Sequence, residues 1–172
     1  MKRPLTLLAT LGIIACSHTA MAQPRATRIA SDGIEIVTGV MDYDLSGTGR
    51  TVPLTIRATK ALTDHVSLEA GGTFASPDQQ FGRSTFTAPE VRVTYTWRLG
   101  PVQPFVSGGG GISATQTDFF KTRWRSTFVA GGGARIPLND RLYAIGEMRL
   151  RGVGRKFAGS MGEFLGGLGW RF

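Results

Sequence analysis

Cysteine is almost missing: the one among the 172 residues, Cys16, directly follows the first apolar run, and no other comes after it. The rest of the chain therefore has no thiol for a disulfide, a zinc-thiolate site or a nucleophile. Histidine is nearly as scarce. His18 lies in the same leading stretch, which leaves His65 alone with dispersed carboxylates and no ligand cluster for a metal. Beyond the leading stretch no segment approaches the roughly 18 apolar residues of a membrane-spanning helix. The formal charge is +8, yet there is no Lys/Arg run and no basic helix, so nucleic acid is not an expected partner. The tetraglycine at 108–111 lacks the Lys-Ser/Thr pair and the following helix of a phosphate loop, and no cofactor is expected.

What is present begins with "MKRPLTLLATLGIIACSHTAMA": Lys2 and Arg3, a mostly apolar run from Leu5 to Ala15, then small residues at Ala20 and Ala22. This predicts a secretory signal over 1–22, with a mature domain over 23–172. "IIAC", ending at Cys16, also resembles a lipoprotein cleavage box, so lipidation of Cys16 stands as the alternative to cleavage after Ala22. Removing 22 of the 172 residues leaves 150, about one domain. The signal carries two of the 20 basic residues and none of the 12 acidic ones, so the remainder is +6.

Eight segments of about ten residues then alternate in polarity, which is the pattern of half-buried strands. They start near Gly33, Thr51, Val66, Glu90, Val102, Thr122, Arg141 and Glu163. The clearest sets Val91, Val93, Tyr95 and Trp97 against Glu90, Arg92, Thr94 and Thr96. The fifth, softened by the tetraglycine, leaves its parity open. Glycine is abundant, 24 of 172, and clusters inside strand-like stretches, where it permits tight curvature and close backbone approach. Links between segments alternate in length. Short ones fall at 62–65, 99–101 and 137–140, and longer ones at 42–50, 76–86, 114–123 and 151–159. Short turns at one end and longer loops at the other are the pattern of outer-membrane barrels.

Cost fixes which face points inward. A basic side chain in lipid costs about 2 to 4 kcal/mol near mid-membrane, an acidic one somewhat less. Arg57, Arg92, Arg135 and Arg149 are therefore expected inside, with Glu35, Glu69, Glu90, Glu147 and Glu163. An eight-stranded barrel leaves an interior just wide enough for side chains, so these nine groups are expected to form an ion-pair network. Unpaired, they would be strongly destabilising. Tyr43, Phe74, Phe86, Trp97, Phe119, Phe120, Trp124, Phe164, Trp170 and Phe172 lie mostly near strand ends or in adjoining loops, where aromatic belts at two membrane interfaces would put them.

Together the leading signal, the eight alternating segments, "PFVSGGGGIS", "TFVAGGGARIPLNDRLYAIGEMRLR" and the closing "WRF" resemble the small OmpA/OmpX-like outer-membrane barrels. The resemblance implies an all-β fold, an eight-stranded antiparallel up-and-down transmembrane barrel in the bacterial outer membrane. Its partners would be outer-membrane lipid and lipopolysaccharide, with the barrel-assembly machinery engaged during biogenesis. For that machinery the resemblance implicates Phe164, Leu168, Trp170 and Phe172 as an assembly signal. The expected role is structural or surface interaction without catalysis, through loops whose ligand the sequence does not name. Two alternatives stay open: a lipid-modifying barrel enzyme, for which Ser67 lies two residues beyond His65 but no serine stands at an obvious lipid-facing position, and a small-solute pore.

Overall fold

The structure, a computed structural model, describes residues 30–44, 49–76, 78–79, 82–117, 120–154 and 159–172. The leading segment 1–22, with Cys16, lies outside the described residues, as does Phe119. Ten strands appear in chain order: β1 (Gly33–Asp44), β2 (Gly49–Thr51), β3 (Leu54–Ala61), β4 (Val66–Ala75), β5 (Asp78–Gln79), β6 (Gly82–Thr96), β7 (Gln103–Thr117), β8 (Phe120–Pro137), β9 (Leu142–Val153) and β10 (Gly159–Arg171). Their alternating sequences satisfy the backbone only by pairing with neighbours, and every such pairing is antiparallel. β10 returns to β1, from Gly33 opposite Arg171 to Asp42 opposite Gly162, so the sheet closes and the long strands leave no open edge between them.

The barrel has eight staves, because β2 and β3 form one and β5 is a short extension paired with β6. Val52 and Pro53 interrupt the second stave. Proline has no N–H to give a ladder, and the Thr38 hydroxyl there donates to the Pro53 carbonyl at 2.8 Å. Short turns close one end. Thr63 Oγ1 accepts from the His65 and Val66 N–H groups, and Asn139 Oδ1 does the same for Arg141 and Leu142. Between Leu99 and Val102 the turn carries Gly100 at φ 62°, a conformation glycine adopts without a Cβ penalty.

At the opposite end the longer links shorten. The stretch read as a loop over 114–123 is largely hairpin: β7 and β8 stay in register through Ser113 opposite Arg125 and Thr115 opposite Arg123, with a shift before Thr117. β6 likewise begins at Gly82, inside the expected 76–86 loop. Alternation there is carried by threonine and arginine, whose strand character shows only in the pairing.

The two faces differ sharply. Outward-pointing side chains make an apolar band that includes Ile36, Val91, Val93, Val106, Leu150 and Leu168. Inward, two apolar clusters flank a polar lumen. One consists of Val37, Phe105, Ile145 and Leu165. The other, Met41, Ala75, Phe86 and Ala88 with Met161 against them, sits toward the long-link end. Phe86 thus corrects the expectation of an interfacial belt: it lies on the Ser84–Ala88 face and is 3% exposed. β7 resolves its open parity, with Gln103, Phe105, Ser107 and Ser113 buried. Gly133 lets the Phe105 ring lie across β8, since a Cβ there would stand 2.9 Å from Phe105 Cζ.

Candidate functional site

Inside the lumen, Glu35, Arg57, Glu69, Glu90, Arg92, Arg135, Glu147, Arg149 and Glu163 are all buried. Alternation places them: each lies at an inward position of its strand, and no backbone partner competes for its side chain. A tenth member, Arg151 on β9, is 1% exposed. It continues the Glu147–Arg149 face by one step, and its inward position follows once β9 is extended to Val153. With Arg151 the set comprises five glutamates and five arginines.

These ten groups form two closed rings of alternating charge. In the larger ring, Arg57 Nε pairs with Glu35, and Arg57 Nη1 reaches Glu147 at 2.6 Å. Glu147 also holds Arg92 Nη1 at 2.6 Å, and Arg92 Nη2 holds Glu69 at 2.5 Å. Arg135 completes the circuit, with Nη2 on Glu69 at 2.7 Å and Nε on Glu35 at 2.8 Å. Arg57 and Glu69 also approach across the ring at 3.5 Å. Six different strands contribute one charge each: β1, β3, β4, β6, β8 and β9.

The smaller ring lies toward the Met41–Phe86 cluster. Arg149 Nε pairs with Glu163, Arg151 Nε holds the other oxygen of Glu163 at 2.7 Å, and Glu90 bridges back to Arg151 at 2.6 Å and Arg149 at 3.1 Å. Arg149 Nη2 also donates to Thr55 Oγ1 at 2.8 Å and Thr73 Oγ1 at 2.9 Å. The Arg151 guanidinium carbon lies 5.9 Å from the Phe86 ring centre, which joins the ring to the apolar cluster.

Geometry limits the chemistry of these groups. Both oxygens of each of the five carboxylates are engaged by guanidinium groups, and Tyr143 Oη donates to Glu35 as well, at 2.7 Å. A carboxylate held between two guanidinium cations is strongly favoured in its ionised form and is a poor base for a substrate proton. Tyr143, Thr55 and Thr73 carry no signal in the sequence beyond inward parity, and Phe105, in the segment of open parity, carries none. They matter because they fill what the charges leave.

The remaining candidates face elsewhere. Phe164, Leu168, Trp170 and Phe172 all point outward and are exposed. Tyr95 and Trp97 meet edge to face on the short-turn side, with His65 stacked on Tyr95. His65 Nδ1 lies 2.9 Å from the Thr96 carbonyl. Ser67 is 1% exposed on the inward face of β4, so the histidine and the serine do not share a surface.

No protein-family model matches the chain, and no curated protein matches it in sequence. Solved structures do. Neisserial surface protein A is 11% identical, with a TM-score of 0.68 over 84% of this chain and 97% of that one. The N-terminal β-barrel domain of Pseudomonas aeruginosa OprF is 16% identical, with a TM-score of 0.57 over 83% of this chain and 99% of that one. A designed transmembrane β-barrel is 15% identical, with a TM-score of 0.50 over 81% and 95%. At these identities the likeness is one of architecture: the chain has the closed, eight-stranded antiparallel fold of the small outer-membrane barrels.

Proposed function

We propose that the protein is an integral barrel of the bacterial outer membrane, a structural or surface-interaction protein whose interior conducts nothing. The observation that carries this reading is the pair of closed charge rings inside an apolar-jacketed barrel. An outward face of half-exposed Ile, Val, Leu and aromatic side chains is a poor surface for water, because soluble proteins rarely show contiguous apolar patches larger than a few hundred Å². Lipid suits it. Inside, an ion path would have to part guanidinium–carboxylate pairs that engage every carboxylate oxygen, then pass the Met41–Phe86 cluster. Engaged carboxylates, a buried Ser67 and a His65 set against a backbone carbonyl also argue for a scaffold rather than a lipid-modifying enzyme. Contacts with outer-membrane lipid and lipopolysaccharide would run along the apolar band, and the hairpins beyond Thr115 and Arg123 would meet the exterior.

Two measurements test the reading together. Cell fractionation with boiled and unboiled gel samples is expected to place the protein in outer membranes, with a mobility that changes on heating. In planar bilayers the purified barrel is expected to give no stable single-channel steps. A soluble periplasmic species, or large steady conductance, would overturn it.

A further inference from the structure

The two rings account for five glutamates and five arginines, but the lumen holds a sixth buried guanidinium. Arg171, on the inward face of β10, is 5% exposed. Its Nη2 donates to the neutral amide oxygen of Gln103 at 2.8 Å, and its guanidinium carbon lies 4.8 Å from the centre of the Tyr143 ring. Among the described residues it forms no ion pair, and its Nε has no hydrogen-bond partner. Thr59 Oγ1, buried on β3, is in the same position. Both residues line one small cavity, of about 10 Å³, at the short-turn mouth of the barrel, together with Ser31, Ser67, Arg135 and Tyr143.

The charge around that cavity is one-sided, with two arginines and no carboxylate in its lining. An arginine N–H donates and never accepts, and hydroxyl hydrogens rotate toward whatever acceptor is present. Arg135 adds positive charge, but its own nitrogens are already committed to Glu35, Glu69 and Thr96. A buried cation without a counter-charge is strongly disfavoured, so the surplus charge of Arg171 calls for an anion, to which its unengaged Nε–H and the Thr59 hydroxyl can both donate. The volume corresponds to roughly one water-sized sphere, which is too small for phosphate, sulfate or a carboxylate-bearing metabolite. We propose that the cavity binds one monatomic halide, chloride under natural conditions, held by Arg171 Nε and Thr59 Oγ1.

The test uses the full barrel purified in neutral detergent. Crystals soaked in sodium bromide are expected to show an anomalous peak within hydrogen-bond reach of Arg171 Nε and Thr59 Oγ1. The thermal midpoint is expected to rise and saturate as chloride or bromide replaces gluconate at constant ionic strength. Arg171→Gln should abolish that halide dependence while the heat-dependent gel shift persists. Thr59→Val, which keeps the charge, should weaken the apparent halide affinity several-fold and serves if the arginine variant does not fold. No anomalous peak, a midpoint identical in halide and gluconate, or an affinity unchanged by both substitutions would overturn the proposal and leave the cavity to water. None of these outcomes depends on where the barrel resides in the cell.

Discussion

The larger and smaller charge rings solve one problem with different reach. The smaller ring is mostly local: Arg149 sits directly opposite Glu163 on the neighbouring strand, Arg151 lies one step along the same face of β9, and only Glu90 crosses the lumen. The larger ring has two cross-strand neighbours, Glu35 opposite Arg57 and Glu69 opposite Arg92. Its other four links, from Arg57 and Arg92 to Glu147 and from Arg135 to Glu35 and Glu69, span the lumen. A local ring fixes the register of two strands, whereas a spanning ring fixes the cross-section of the whole barrel. The teaching is that equal numbers of partners per charge do not make equal structural consequences.

That contrast gives a ranking. Glu69→Gln is expected to cost the most, about 3 to 5 kcal/mol, because it leaves buried Arg92 on β6 and Arg135 on β8 both short of charge. Urea unfolding of the barrel in lipid vesicles would measure it, and a cost no greater than for a smaller-ring variant would remove the distinction. Arg151→Met should come next, at about 1.5 to 3 kcal/mol, since Arg149 still touches both Glu90 and Glu163. Adding Glu90→Gln to it should recover part of the loss by removing the stranded carboxylate, and strictly additive costs would mean that the two groups are not coupled. Smallest of all is Lys60→Ala. Its link to Asp32 measures 2.5 Å, but the two side chains are 70% and 39% exposed, so the change is expected to stay within about 1 kcal/mol in the same assay.

The fold was legible because strand alternation and the price of charge in lipid point the same way. Val91–Trp97 against Glu90–Thr96 identifies β6 and its inward face at once. Three features resisted. In β7, four consecutive glycines carry no polarity, so parity appears only through buried Phe105 and Ser113. Arg151 sits where the seventh segment gives way to the 151–159 link, so the sequence does not separate strand from loop there, although its parity matches Arg149. Phe86 near a strand end reads as a belt residue, but the lumen there accepts an aromatic ring beside Ala75 and Ala88. Which glutamate meets which arginine lies beyond any one strand. It depends on the stagger that brings Glu147 across to Arg57 and Arg92, a property of the closed barrel.

Chain separation gives the larger ring one more consequence, for the order of folding. Glu147 lies 90 residues from Arg57 and 55 from Arg92, and Glu35 lies 100 residues from Arg135. Contacts this distant form only after long loops have been closed, late in the search. On the outer-membrane reading, a chain delivered hairpin by hairpin would carry the arginines of β3 and β6 into lipid before the carboxylate of β9 arrived. The least costly route keeps the charged faces turned toward water or toward one another until β9 is seated, so insertion and closure proceed as a single concerted event.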